Sequence, residues 1–502
     1  MEEYYLGVDV GTTVIKCLLM NEEEKVLSIA SRNYEKVKKE KGTVEQDPLE
    51  WWEKMREVIQ EVSRRVDKKN IKALSLSTQG GTLIPVDREG KPLREAIIWM
   101  DTRAGRESKF LNNKFGEDFF YIHSGSRITP SSLLSKILWI KRIEKSIFKE
   151  TYKFVQVPDF LNFKLTGSFV IDYSNASYSS FFNLRDKNWD EDVLEKVGLK
   201  RDKFSEIKAC GEVVSNLSYE SANFLNLSSS TLVVTGAHDQ TSAALGTKVI
   251  REGEILLSCG TAWVVYETLE SLKLDSQKKY TVCSHALPKK WCLFAATNGN
   301  VVLDWFIQNF CQEELKIAKT KNISVYELLV PKENSSGKII FLPYLYGALA
   351  PNYMPQARGA FLGLNLEHNK KDLIRSIMQG LIYQTRWTLE DLKESGIKVK
   401  EITMTGGASK NRFLPQLISD TTGLPLYISS VQEAASKGAA ILAWREVNGW
   451  DKKFPYREDK KGLYFTPKEE EKREYEKIFH LYKKSFRKCM PIFKEMDKNR
   501  LL

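Results

Sequence analysis

Nowhere in its 502 residues does the sequence hold the roughly 18 consecutive apolar residues that a membrane-crossing helix needs. Its opening, MEEYYLGVDV, lacks the basic start and the cleavage-like segment of a secretory leader, so a cytoplasmic setting is expected. Cysteines number seven, are scattered, and never form a C-x-x-C pair, which argues against a disulfide framework and against a zinc ribbon. The tightest group, Cys283 and Cys292 with His285 between, admits a metal, but buried reduced thiols are the simpler reading. Low-complexity tracts and short-period solenoid repeats are absent as well.

What remains is an ordinary globular composition, 42% apolar and 28% charged, in a chain too long for one growing hydrophobic core. Two or more domains are expected. The net charge of +11 raises nucleic acid as a partner, yet Asp451 to Leu502 holds 16 basic and 10 acidic residues, so +6 of the excess lies there. In that stretch Tyr475, Phe479, Tyr482 and Phe486 recur at helical spacing. They predict an amphipathic helix docked on the body, in preference to a nucleic-acid or membrane surface.

One long-range echo organises the rest. GVDVGTTVIKCLLM, from Gly7 to Met20, reads as strand, Gly-Thr-Thr turn, strand; GEILLSCGTAWVV, from Gly253, reads as strand, Cys-Gly-Thr turn, strand. Two such hairpins predict two lobes built alike, with a boundary between Val249 and Glu254. Asp47-Pro48, followed by Trp51, Trp52, Met55, Val58, Ile59 and Val62, predicts a helix. Strand and helix patterns then alternate, which means α/β architecture.

Four stretches carry the chemistry. Asp9 sits in an apolar strand, where an unpaired carboxylate costs several kcal/mol, so it needs a partner, most simply a hydrated cation. Gly11, Thr12 and Thr13 form a bend whose amides and hydroxyls suit phosphate oxygens, with Lys16 adding charge. A plain hairpin with Asp9 capping the turn is the alternative. Gly260 and Thr261 repeat the bend. Gly406 and Gly407, between a strand and a predicted helix holding Phe413, Leu414, Leu417 and Ile418, admit an anion or a flat ring, although a plain strand-to-helix turn would also fit. Asp239, after the apolar strand that ends VVTGAH, can accept a proton from an attacking hydroxyl, cap the helix QTSAALG, or do both. His238 reads as its neighbour and not as a base.

These stretches, in this order and spacing, resemble the FGGY carbohydrate kinases of the actin-like ATPase superfamily. The likeness extends through DPLEWW, AIIWMDTRA, SKILWIKR, VPDFLNFKLTG and FLPYLYGALAPNYMPQARGAFLGL, from about Tyr4 to Trp444. CSHALPKKW and FLPYL look most like the xylulokinase branch. The resemblance implies an α/β fold of two actin-like, ribonuclease-H-like lobes, each a mixed sheet with flanking helices, separated by a catalytic cleft. It implies residues 1–250 as a sugar-binding lobe, 251–445 as an ATP-binding lobe, and 446–502 as a basic helical extension. It implies ATP and Mg²⁺ as cofactors, Asp9 near the metal and the transferred group, and Asp239 as general base. Thr12, Thr13, Lys16, Gly260 and Thr261 fall to the phosphates; Gly406, Gly407, Ala408 and Asn411 to the nucleotide; Gln79, Gly80, Gly81, Trp99, Asp101 and Asp239 to the sugar. The implied partners are sugar and ATP, with neither nucleic acid nor membrane, and a homodimer is allowed for.

The sequence departs from the pattern at two places. Members acting on xylulose tend to carry Met-His after the glutamine and glycerol kinases Arg-Glu, where this chain has Gly80 and Gly81. The usual GER-P segment is GALAP, Gly347 to Pro351. Xylulose is the leading acceptor, with another sugar, a polyol or a sugar acid as alternatives. From another class comes a nucleotide-gated switch, since chaperones of the superfamily share the Asp-x-Gly-Thr-Thr opening. Those append a long peptide-binding domain, whereas this sequence runs about 60 residues past GAAILAW.

Overall fold

The computed structural model describes residues 2–35, 37–40, 42–329, 339–410, 413–431, 433–450 and 462–499. Contacts divide the chain into two compact units. The first comprises Met1–Ile250, Leu269–Cys292 and Val431–Glu458; the second comprises Arg251–Thr268, Leu293–Ser430 and Asp459–Leu502.

The first unit is centred on a six-stranded sheet in the spatial order Val213–Asn216, Leu232–His238, Ile71–Thr78, Tyr4–Val10, Val14–Asn21, Val26–Asn33. Tyr4–Val10 runs antiparallel to Val14–Asn21 and parallel to Ile71–Thr78, which is parallel in turn to Leu232–His238. On one face lies the helix Pro48–Val62, capped by Asp47, whose carboxylate accepts from the Leu49 amide at 2.9 Å. Its expected stripe, Trp51, Trp52, Met55, Val58, Ile59 and Val62, is buried in full. The helix Ala434–Asn448 covers Tyr5, Leu18 and Met20 with Ala440, Ile441, Ala443 and Trp444. Chain order alone predicts residues 434–445 in the second lobe, whereas they belong to the first unit. They pack here because Gly7, Gly246 and Gly438 let backbones meet: a Cβ at Gly7 would lie 1.9 Å from the Ser436 carbonyl oxygen, and one at Gly438 would lie 1.8 Å from that of Ser242.

Six neighbouring strands of the second, seven-stranded sheet repeat that plan: Trp291–Thr297, Trp263–Leu269, Glu254–Cys259, Glu401–Thr405, Leu426–Ile428, Leu463–Phe465. Glu254–Cys259 is antiparallel to Trp263–Leu269 and parallel to Glu401–Thr405. The C-terminal helix, Glu469–Lys498, buries Tyr475, Phe479, Tyr482, Phe486 and Phe493 on this unit. Tyr482 shares a 2.7 Å hydrogen bond with Tyr344, and Arg386 lies 4.2 Å over the Phe479 ring. The basic tail is thus a docked helix with a solvated face, as its spacing predicts. No helix among the described residues is long and apolar enough to cross a membrane.

Candidate active site

In the first unit the chemistry collects at the carboxyl ends of three neighbouring strands. Asp9 stands opposite Ser77, and Ser77 opposite Ala237, so Asp9 and the Asp239 segment are two strands apart, about 10 Å between backbones. Ser77 Oγ donates to Asp9 Oδ1 at 2.7 Å. Burial first, and then the Asp239 charge, push the Asp9 carboxyl up to about 7. Burial likewise raises Asp239 to about 6, against hydrogen bonds from Gln240. Asp239 is the first residue of the helix Asp239–Thr247, with His238 in the cap position, so it does not serve as the N-cap. Its side chain remains 31% exposed. Lys16 pairs with Glu433 at 2.5 Å.

The bend after Asp9 is held by a closed ring of hydrogen bonds. Thr12 Oγ1 donates to Gln79 Oε1 at 3.1 Å, Gln79 Nε2 donates to Gln46 Oε1 at 3.0 Å, and Gln46 Nε2 donates back to the Thr12 carbonyl at 2.7 Å. Trp99 Nε1 adds a 2.9 Å bond to Thr12 Oγ1, while the residue stays 42% exposed. Gly11, Thr12, Gln79 and Trp99 therefore come together. Thr13 is exposed at the turn, where its carbonyl accepts from Tyr34.

Asp101 behaves differently. It is fully buried, accepts from the Val44 amide at 2.7 Å, and takes both Nε and an Nη of Arg103, which also pairs with Glu45. Both oxygens are spent on the protein, so Asp101 is not an open ligand. Two further participants are not among the site residues expected from the sequence. Gln46 is hidden beside the helix start at Asp47. Lys136, fully buried, donates to the carbonyls of Gly81 and Ile98 at 2.8 Å each and fastens the Gln79–Gly81 bend to the Trp99 strand end. Burial lowers its ammonium to about 7.

The corresponding turn of the second unit, Gly260 to Ala262, carries no carboxylate. Its Gly260 and Thr261 carbonyls accept from the amides of Asn300 and Val301, and Trp263 Nε1 donates to Asn300 Oδ1 at 3.0 Å. Gly406 has φ +91°, and a Cβ there would lie 2.7 Å from the Cys259 carbonyl oxygen. At Gly407 a Cβ would meet no atom within 4 Å. A short 3-10 turn, Gly407–Lys410, holds Ala408, and the helix follows only at Leu414–Thr422, so the two glycines do not abut a helix N-terminus. Asn411 lies outside the described residues. Cys283 and Cys292 are buried, and His285 Nδ1 accepts from the Leu287 amide. Among the described residues no cluster of three or more His, Cys, Asp or Glu is arranged to hold a metal.

A mixed α/β chain with two sheets of one plan, acidic strand ends in one and glycine turns in the other, has the anatomy of an actin-like phosphotransferase. The patterns of the FGGY carbohydrate kinases match most of it, the N-terminal domain over residues 4–246 and the C-terminal domain over 256–447. The chain belongs to the FGGY family of carbohydrate kinases, phosphotransferases with an alcohol acceptor that use ATP. It is 29% identical over 491 residues to a gluconokinase of Bacillus subtilis, covering 96% of this chain and 95% of that one. With a xylulose kinase of the same organism it shares 26% over 487 residues, 96% of each. The crystal structure of gluconate kinase from Lactobacillus acidophilus superposes with a TM-score of 0.87 at 25% identity, covering 99% of this chain and 100% of that one. Xylulose kinase from the same bacterium, at 24% identity and TM-score 0.86 over 98% and 100%, shares the fold.

Proposed function

We propose that this sugar kinase phosphorylates an uncharged ketopentose such as xylulose, with Asp239 as the base. The reading rests chiefly on one observation: Asp239 remains partly exposed at a strand end, with its pKa raised to about 6. A carboxylate so tuned is largely ionised at neutral pH yet basic enough to take a proton from a hydroxyl. The acceptor O–H gives its proton to Asp239 as its oxygen bonds the γ-phosphorus, and the bond from that phosphorus to the ADP oxygen breaks, so ADP leaves with the electron pair. Gln79 and Trp99 orient the sugar, one as a planar polar group and one as an aromatic face. The turns at Gly11–Thr13 and Gly260–Thr261 hold phosphate oxygens, and the open Gly407 backbone with Ala408 takes the nucleotide.

Asp9 fits Mg²⁺, which neutralises phosphate charge when bound. It is an oxygen donor already oriented by Ser77, and a carboxylate whose pKa burial has raised gains from a nearby cation. Lys16 supplies charge to the same end by sharing itself between Glu433 and phosphate.

An uncharged acceptor is favoured because Thr12, Gln46, Gln79 and Trp99 are neutral and both nearby acids are negative when ionised, which repels a sugar carboxylate. A sugar acid is the second reading, supported by the relatives named gluconokinase. ADP release over a panel of ketoses, aldoses, polyols and aldonates decides. We expect turnover highest with a ketopentose; gluconate as the best acceptor overturns the first reading, and acceptor-independent hydrolysis alone overturns both.

A further inference from the structure

Gly80 follows Gln79 at the heart of the acceptor side, and its backbone φ lies outside the left-handed region, unlike that of Gly81 at +65°. Torsion therefore does not require glycine at 80. Space does. A Cβ there would lie 2.6 Å from Cδ2 and 3.0 Å from Nε2 of His238, and 3.3 Å from Cδ2 of Tyr178. Both rings would have to give way, and neither is free to do so. They are stacked on each other with centroids 4.0 Å apart and planes 19° apart. The Tyr178 hydroxyl is hydrogen-bonded to the Cys283 thiol. The His238 amide donates to Ser174 Oγ at 2.8 Å, and its Nδ1 lies 3.3 Å from Asp239 Oδ1. Burial holds the imidazole neutral, with a pKa lowered to about 3, so it offers one N–H and one lone pair and no charge.

We propose that Gly80 and His238 form a single specificity element, in which the imidazole takes the room of a residue-80 side chain and reads a hydroxyl of the uncharged acceptor beside Asp239. The inference rests on the kinase reading above. It makes His238 a wall of the acceptor site that the base depends on for alignment, and it explains why a glycine with unremarkable torsions stands at 80.

The test is a double-mutant cycle of Gly80→Ala and His238→Ala, measured with the best acceptor of the panel, following kcat, acceptor KM, ATP KM and Tm. Gly80→Ala is expected to lower kcat/KM for the acceptor by about tenfold or more, the cost of tilting a packed ring beside the base, while ATP KM moves less than twofold. His238→Ala is expected to lose about tenfold and to flatten the ranking of acceptors that differ by one hydroxyl. The double variant should be no worse than His238→Ala, because the ring that the new methyl displaces is gone. Multiplicative losses, or an ATP KM that shifts as much as the acceptor KM, overturn the pairing. If Gly80→Ala does not fold, His238→Asn decides: a changed acceptor ranking at an unchanged Tm supports the element, and an unchanged ranking overturns it. A wild-type protein with no acceptor at all overturns the kinase reading itself, whereas active wild type with additive losses overturns the pair alone.

Discussion

The two sheets share one strand plan and differ at the ends of corresponding strands. In the first, Asp9 stands opposite Lys16 across the hairpin, with four residues between the last paired positions, Val10 and Ile15. In the second, Ser258 stands opposite Val264, with three residues between Cys259 and Trp263. The strand Leu232–His238 runs into Asp239, whereas its counterpart Leu426–Ile428 runs into Ser429 and Ser430. One sheet carries acids whose pKa partial burial raises, and the other has serines and glycines. Under the proposed reading the first performs proton and metal chemistry and the second only holds a polyphosphate, so damage to each should register in a different constant.

The largest effect should follow Asp239→Asn, which keeps the shape and removes the basicity. A loss of about a hundredfold or more in kcat, with little change in ATP KM, is the scale of a missing general base. Turnover near wild type would break the comparison at its strongest point. A smaller effect should follow Gly407→Leu in the second sheet. Because a Cβ there meets nothing within 4 Å, Tm should stay put while ATP KM rises by about tenfold and acceptor KM holds. If the acceptor constant moves instead, the division of labour is wrong.

Much of this is legible in the sequence. The Gly-Thr echo foretold the repeated hairpins, and the Trp51 to Val62 stripe foretold its helix, because both patterns are local and periodic. Three features were not readable. Asp101 looked open because a single sequence does not reveal that Arg103, two residues on, would fold back on it. Lys136 sat in an apolar helix pattern where its long stem hid an ammonium aimed at two carbonyls, a partnership fixed only by tertiary structure. The helix Ala434–Asn448 crossed to the first unit through glycine contacts with residues far away in sequence, which no periodicity encodes.

The last expected effect concerns stability and sharpens the comparison most cheaply. Burial raises the Asp9 carboxyl to about 7 in the folded protein, against about 4 in an unfolded chain. Between those values the native state keeps a proton that the unfolded state has released, so the folded form loses stability as pH rises through that window. Asparagine at position 9 can still accept the Ser77 hydrogen bond and carries no charge. In the absence of Mg²⁺ and nucleotide, Asp9→Asn should melt close to wild type near pH 4 and progressively above it as pH rises, with the gap levelling off past about pH 7. Thermal melts across that range measure it directly. A gap that stays flat would mean that Lys16 already compensates the charge in the empty protein, and the acid would then be structural. Ser258→Ala at the matching place in the second sheet should show no pH-dependent gap, since no charge is buried there, and a gap in both sheets would erase the distinction drawn between them.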